Sequence, residues 1–288
     1  MDTVGVVTPG LGGTRALMKS VEPSLVPSER RVVQFCLTDP EAVCGMSVSE
    51  LARQAGVSPA TVVRACKNLG VGGFQRLREL LIRDTAADGD PVVDSTDSDH
   101  PLDRVFAHAL AGIDGALGAL DYGVFDDAAR LVAGCDRLLV VGNGGSHPAA
   151  QSVALRFLTT GRTCEAPVDV VTQHISAKLT GPGDVCLAVS DSGLNRFMLR
   201  SARLAAANGA TVIGVTSYAK SELALLATHP LVAGADFHEW NDGTVIGNIA
   251  QMLVLSALHT AAMAYFPDAD TAQQLTQEEV QVMVHSPQ

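Results

Sequence analysis

Two hydrophobic rhythms divide the chain. From Thr14 to Arg83 apolar residues recur every three or four positions: Leu17, Met18 and Val21, then Val32, Val33, Phe35 and Cys36, and later Phe74, Leu77, Leu80 and Leu81. That spacing predicts a bundle of about five helices. From Arg137 the apolar residues run without interruption instead, in Arg137–Val141 (RLLVV), Val185–Val189 (VCLAV) and Thr211–Val215 (TVIGV). Unbroken runs of this kind suit parallel strands buried on both faces. Val168–Val171 reads as a weaker strand and Leu231–Ala233 as a short fifth. Alanine-rich helical stretches separate them at Pro148–Leu158, Ile175–Leu179, Asn195–Ala207 and Ser221–Ala227. Alternating strands and helices predict a doubly wound parallel α/β sheet. The expected layout is therefore an all-α head over residues 14–83, a polar, acidic linker over 84–101, an α/β body over 102–270 and a tail over 271–288.

Within the head, Met46 to Leu80 carries the sharpest local signals. Ser47 and Glu50 form the S-x-x-E pattern of a capping box, so a helix starts near Val48. Gly56 suits the left-handed turn that ends it. Ser58 then caps a second helix with Pro59 at its first position. At 100° per residue Val62, Cys66 and Leu69 share one stripe, and Ala60, Arg64 and Lys67 lie nearly opposite. A helix whose outer face begins small and continues basic can place its first residues at base edges in a major groove and its cations at phosphate or guanine. This predicts a helix-turn-helix that contacts double-stranded DNA through Ser58, Pro59, Ala60, Thr61, Arg64 and Lys67. A head that met a protein instead would lack salt-dependent DNA binding.

Charge supports the division. The net charge of −11 is uneven: residues 15–83 hold ten Lys/Arg against six Asp/Glu, a balance of +4, and the remainder carries −15. A basic head on an acidic body fits a protein of which one part meets a polyanion. The six cysteines are scattered, with no C-x-x-C, so reduced thiols are expected and neither a metal nor a cofactor is. The N-terminus lacks the pattern of a secretory signal, which predicts a cytoplasmic protein. Ile246–Phe266 has no Asp, Glu, Lys or Arg over membrane-spanning length, but Asn248, Gln251, Ser256, His259 and Thr260 interrupt it, which favours a buried or dimer-interface helix.

Candidate chemistry gathers at the ends of the predicted strands. The first runs into Gly142-Asn143-Gly144-Gly145-Ser146, the third into Ser190-Asp191-Ser192-Gly193-Leu194-Asn195, and the fourth into Thr216-Ser217. Ligands of doubly wound sheets bind beyond the carboxyl ends of the strands. Glycines let the backbone approach a ligand, N–H groups at helix starts attract anions, and hydroxyls donate to phosphate or sugar oxygens. His147 stands where the third glycine of G-x-G-x-x-G belongs, so a dinucleotide is not expected.

On PSERRVVQFCLTDPEAV, SELARQAGVSPATVVRACKNLGVGGFQRLRELL, GNGGS and SDSG, the chain resembles the RpiR (MurR/RpiR) family of bacterial transcription regulators, in which a helix-turn-helix precedes a SIS (sugar isomerase) domain. The resemblance covers about residues 14–270. It implies a homodimeric or homotetrameric repressor or activator of sugar-catabolic genes, whose body binds a sugar phosphate. By position, Ser146, Ser190, Ser192 and Asn195 would hold the phosphate, within an effector site that also takes in Gly142, Asn143, Gly144, Gly145, His174 and Glu239. Two departures stand out: Asn195 replaces the usual threonine, and Asp191 puts a carboxylate beside the expected anion site. An unphosphorylated sugar derivative is therefore an alternative effector. The competing class is an aldose-ketose isomerase, which needs a base over the sugar; His174, His238 and Glu239 are its candidates.

Overall fold

The computed structural model describes Pro9 and residues 13–87, 100–234, 244–266 and 269–285. By contact these fall into two compact units: Met1–Asp121 with Ser217–Lys220 and Val232–Ala250, and Tyr122–Thr216 with Ser221–Leu231 and Gln251–Gln288.

The head holds six helices, one more than the spacing predicts: α1 (Thr14–Val21), α2 (Pro27–Thr38), α3 (Pro40–Gly45), α4 (Val48–Gln54), α5 (Pro59–Asn68) and α6 (Phe74–Ala87). The extra one is α3. Asp39-Pro40 ends α2 as expected, but the Asp39 side chain also accepts the Ala42 N–H at 3.0 Å and so starts a new turn. All six helices close on one core in which Met18, Val32, Cys36, Leu51, Val62, Cys66, Leu77 and Leu81 are fully buried. Helix α6 also runs past the expected start of the linker. Asp84 is buried, and its carboxylate accepts the Thr14 N–H at 2.9 Å, which caps α1 from another helix.

Next come α7 (Pro101–Ala119), α8 (Tyr122–Gly134), β1 (Leu138–Gly142), α9 (His147–Thr159), β2 (Cys164–Glu165), α10 (Val170–Lys178), β3 (Val185–Val189), α11 (Arg196–Ala207), β4 (Thr211–Thr216), α12 (Glu222–Leu226), β5 (His229–Val232), α13 (Thr244–Met263) and α14 (Ala269–His285). The strands form one sheet in the order β2-β1-β3-β4-β5, with β1 parallel to both β2 and β3, and β3 parallel to β4. Every residue of β1 and β3 is buried, as the unbroken apolar runs require.

The strand expected at Val168–Val171 is absent. Asp169 instead accepts the Thr172 N–H at 2.9 Å and caps α10, so its apolar neighbours enter a helix. The second strand lies earlier, at Cys164–Glu165. There Glu165 receives two 2.6 Å hydrogen bonds from the Arg137 guanidinium at the start of β1, and this pairing holds the Glu165 carboxyl below its ordinary range. Among the described residues no helix is long and apolar enough to cross a membrane. Helix α13 buries Gln251, Val254, Leu255, Leu258 and Ala262.

Candidate functional site

Each unit carries one candidate surface. In the head, the Ser47–Glu50 capping box forms from both sides: the Glu50 N–H donates to Ser47 Oγ at 3.3 Å, and Glu50 Oε2 accepts the Ser47 N–H at 2.8 Å. Gly56 takes φ +64°, a conformation that side-chain-bearing residues rarely adopt, so the chain turns there between α4 and α5. Ser58 Oγ accepts the Thr61 N–H at 3.3 Å, and Pro59 lies in the first turn. The expected face then appears: Ser58, Pro59, Ala60, Arg64 and Lys67 are exposed, whereas Val62, Cys66 and Leu69 are buried.

Thr61 is placed differently from its neighbours. It is buried, its hydroxyl pairs with Ser58 Oγ at 3.0 Å, and it accepts from Arg64 Nη2 at 3.2 Å. Its part is to hold the start of the helix and one arginine on its surface.

Three supporting residues were not legible as such. Arg31 on α2 donates to the Ala55 and Gly56 carbonyls, both at 3.3 Å, and so braces the turn. The buried Glu29 carboxylate accepts from Asn68 Nδ2 at 2.8 Å and lies 3.9 Å from Arg64 Nε. It ties the far end of α5 to α2. Arg64 itself keeps a side chain 64% exposed, so its guanidinium faces solvent.

In the body, β1 and β3 are neighbours in the order 2-1-3-4-5, where the sheet winds outward in both directions. The crevice at such a switch point opens at the carboxyl ends of those two strands. Their loops are Gly142–Ser146 and Ser190–Asn195, the pair that sequence singled out. The structure joins them: Ser146, buried, accepts the Asp191 N–H at Oγ across 3.1 Å. Asp191 is fixed from its other side by Thr216 Oγ1, which donates to its carbonyl at 3.0 Å. Gly193 has φ +64°, and a Cβ there would stand 2.2 Å from Ser221 Oγ, so this loop closes onto the start of α12 only with glycine.

The remaining expected residues sort by what they touch. Ser190 is buried, and its hydroxyl has no hydrogen-bond partner among the described residues. Ser192 Oγ accepts the Leu194 N–H at 3.3 Å. Asn195 Oδ1 accepts from the Phe197 and Met198 amides at 3.1 and 3.2 Å, which makes it the N-cap of α11. Helix α9, by contrast, begins without a side-chain cap, behind the tight turn of Gly144, Gly145 and Ser146.

Asn143 is paired twice with Gln173 of α10, at 3.1 Å each way, and buried Gln173 donates further to Ser201 Oγ at 2.8 Å. His174 meets the Phe197 carbonyl through Nε2 at 3.1 Å. His238 and Glu239 lie outside the described residues. Among those described, no cluster of His, Cys, Asp and Glu could hold a metal ion.

Comparison with known proteins agrees with both halves. Residues 13–88 match the family model described as a helix-turn-helix domain of the rpiR family, and residues 131–261 match that of the SIS domain. An uncharacterized HTH-type transcriptional regulator of Caldanaerobacter subterraneus subsp. tengcongensis is 27% identical over 84% of this chain and 88% of its own. The HTH-type transcriptional regulator HexR of Pseudomonas aeruginosa is 29% identical over 81% of this chain and 83% of its own. In fold, the chain is similar to the Vibrio vulnificus NanR protein complexed with ManNAc-6P, at a TM-score of 0.60 and 23% identity over 95% of this chain and 100% of that one. The chain belongs to the rpiR family of helix-turn-helix transcriptional regulators and carries a SIS domain behind its DNA-binding head.

Proposed function

We propose that this protein is a cytoplasmic transcriptional regulator of carbohydrate metabolism. Its α5 surface reads an operator, and its SIS domain binds a sugar phosphate or a related sugar derivative. The observation that carries the reading is the coexistence on one chain of two surfaces. One is an exposed, basic, capped helix in a helix-turn-helix; the other is a pair of serine loops bridged by Ser146 at the switch point of a parallel sheet.

On the head, Ser58, Pro59 and Ala60 approach base edges, and Arg64 and Lys67 reach guanine or phosphate. Thr61 positions Arg64. In the body, the amides of Gly144, Gly145 and Ser146 and the hydroxyl of Ser190 receive the anionic or hydroxylated end of the effector. Gly142 and Asn143 set the floor of that loop, and Ser192, Asn195 and His174 shape its other wall. NanR, whose structure holds ManNAc-6P, is a precedent for an N-acylated hexosamine phosphate among the candidates.

The protein acts as a homodimer or homotetramer that presents two heads to two half-sites. Effector binding shifts the population between states of different operator affinity. The regulators named among its relatives favour a sensor over an isomerase.

The test is selection of bound duplexes from a random pool by the full chain. Titration of the recovered operator follows, at two salt concentrations, with and without a panel of hexose and N-acetylhexosamine 6-phosphates. A recovered sequence, bound with steep salt dependence and released or tightened by one sugar, is expected. Recovery of no sequence, together with turnover of a sugar phosphate, would replace the regulator by an isomerase.

A further inference from the structure

The exposed face of α5 carries two cations one turn apart, and the head holds them in different ways. Lys67 has no hydrogen-bond or ion-pair partner among the described residues, so its ammonium is free to move. Arg64 is held from two sides: Nη2 donates to Thr61 Oγ1 at 3.2 Å, and Nε lies 3.9 Å from Glu29 Oε1. Neither anchor can follow a moving guanidinium. Thr61 is buried with its hydroxyl paired to Ser58 Oγ at 3.0 Å, and the buried Glu29 carboxylate accepts from Asn68 Nδ2 at 2.8 Å.

The atoms already engaged decide what is left for a ligand. A guanidinium presents its five N–H groups along two edges, one shared by Nε and Nη2 and the other by Nη1 and Nη2. Both anchors lie on the first edge. The second edge, with both N–H groups of Nη1, has no partner among the described residues, and the side chain is 64% exposed. Two parallel N–H groups on one edge match two acceptors side by side, as O6 and N7 of guanine present them in the major groove. Phosphate also offers paired oxygens, but its attraction is chiefly to charge. The Glu29 side chain is 6% exposed, so its carboxylate is poorly screened and offsets the charge of Arg64. An anion therefore gains less at Arg64 than at Lys67, whereas a neutral base edge needs only the fork. Position agrees: Arg64 stands in the second turn of α5 and Lys67 after it, and the N-terminal residues of such a helix are the ones that meet bases.

We propose that Arg64 reads a guanine of the operator, that Glu29 and Thr61 are its positioning residues, and that Lys67 contacts phosphate. The proposal rests on the operator binding of the proposed function and assigns its chemistry. Of two cations on one helix, the braced one reads sequence and the unbraced one contributes charge.

The test uses the operator recovered by the full chain, with affinities read by fluorescence anisotropy over a range of salt. Each guanine is replaced in turn by 7-deazaguanine, which lacks the N7 acceptor. At one guanine this should weaken the wild type about 2- to 13-fold and Arg64→Ala not at all. On the natural operator Arg64→Ala should lose about 5- to 150-fold with its salt slope unchanged. Lys67→Ala should instead reduce the slope by about 1 and keep the base preference. The positioning role is read in the ratio of affinities for natural and deaza duplexes, which a loss of head stability alone would not move. Thr61→Val and Glu29→Gln should lower that ratio toward 1, and Thr61→Ser, which restores the hydroxyl, should return it to the wild-type value.

A uniform loss for Arg64→Ala, with no guanine distinguished and a shallower salt slope, makes Arg64 a phosphate contact; it overturns the proposal and leaves the operator reading standing. An unchanged ratio in Thr61→Val or Glu29→Gln removes that residue's positioning role. Loss of base preference in Lys67→Ala overturns the division between the two cations. Failure of the wild type to recover any sequence overturns the operator reading and the proposal with it.

Discussion

Two serines in the effector loops should behave in opposite ways when each is cut back to alanine. Ser146 Oγ is the acceptor for the Asp191 N–H at 3.1 Å, and that bond joins the β1 loop to the β3 loop. Ser146→Ala removes this acceptor of the Asp191 N–H, at about 1–2 kcal/mol. For a domain of this size that lowers the melting temperature by about 2–8 °C without any ligand present. Ser190 is equally buried, but its hydroxyl meets no protein partner among the described residues. Ser190→Ala should therefore leave the ligand-free protein within about 0.5 kcal/mol of the wild type. Its loss appears only with the effector: a hydrogen bond to a charged group contributes about 1.5–3 kcal/mol, so affinity falls roughly 10- to 150-fold. Differential scanning fluorimetry reads both effects. At a hundredfold excess over its dissociation constant, the effector should raise the wild-type stability by about 2.7 kcal/mol and that of Ser190→Ala far less. A full ligand-induced shift in Ser190→Ala, or an unchanged ligand-free melting temperature in Ser146→Ala, would refute the assignment of the two hydroxyls.

Arg64→Ala should weaken specific operator binding by about 1–3 kcal/mol if the guanidinium reads a base, with melting temperature nearly unchanged because the side chain is mostly exposed; fluorescence anisotropy on wild-type and substituted operators checks it. Asn195→Ala should cost about 1 kcal/mol of body stability through the lost cap of α11, and Asn195→Thr should recover most of it, as followed by urea unfolding. Glu50 accepts the Ser47 N–H, and that bond, with the Ser47 side chain, holds its carboxyl below the ordinary value of 4.5. A carboxyl depressed by folding contributes stability that is complete above about pH 4.5 and is lost as pH falls through the lower folded value, so Glu50→Gln should flatten part of the acid limb of head stability in a circular dichroism titration.

The elements legible in the sequence were those whose signals are local. A capping box, a left-handed glycine and a proline in a first turn act within four residues, so the boundaries of α4 and α5 could be read directly. The strands β1, β3 and β4 were equally plain, because burial on both faces leaves no polar position to confuse the period. The misreadings share the opposite cause. At Val168–Val171 the β-branched run points to a strand, but one carboxylate, Asp169, accepts an amide three residues on and starts a helix. Asp39 did the same for α3. Asp84 looked like linker chemistry and is an α1 cap, a role fixed by a residue 70 positions away. In the effector site the loops were visible but their internal wiring was not. The pairing of Asn143 with Gln173, and the closure of Gly193 on Ser221, depend on which helix start the topology brings to each loop.

That wiring decides where an anion would sit. The resemblance gave Asn195 and Ser192 the same task as Ser146 and Ser190, yet the two helix starts at the crevice differ. The first amides of α11 are already satisfied by Asn195 Oδ1, and Ser192 Oγ already accepts the Leu194 N–H. Helix α9 has no side-chain cap, but its His147 amide already donates to the Gly144 carbonyl and Pro148 has no N–H, so the amides left for a ligand there are those of the preceding turn, Gly144, Gly145 and Ser146. Under the proposed function, this difference between the two helix starts favours Gly144, Gly145 and Ser146 for the negative end of the effector, with Ser190 beside them at the end of β3. The α11 side is then left to the uncharged part of the sugar, where Asn195 in place of threonine tunes fit rather than charge.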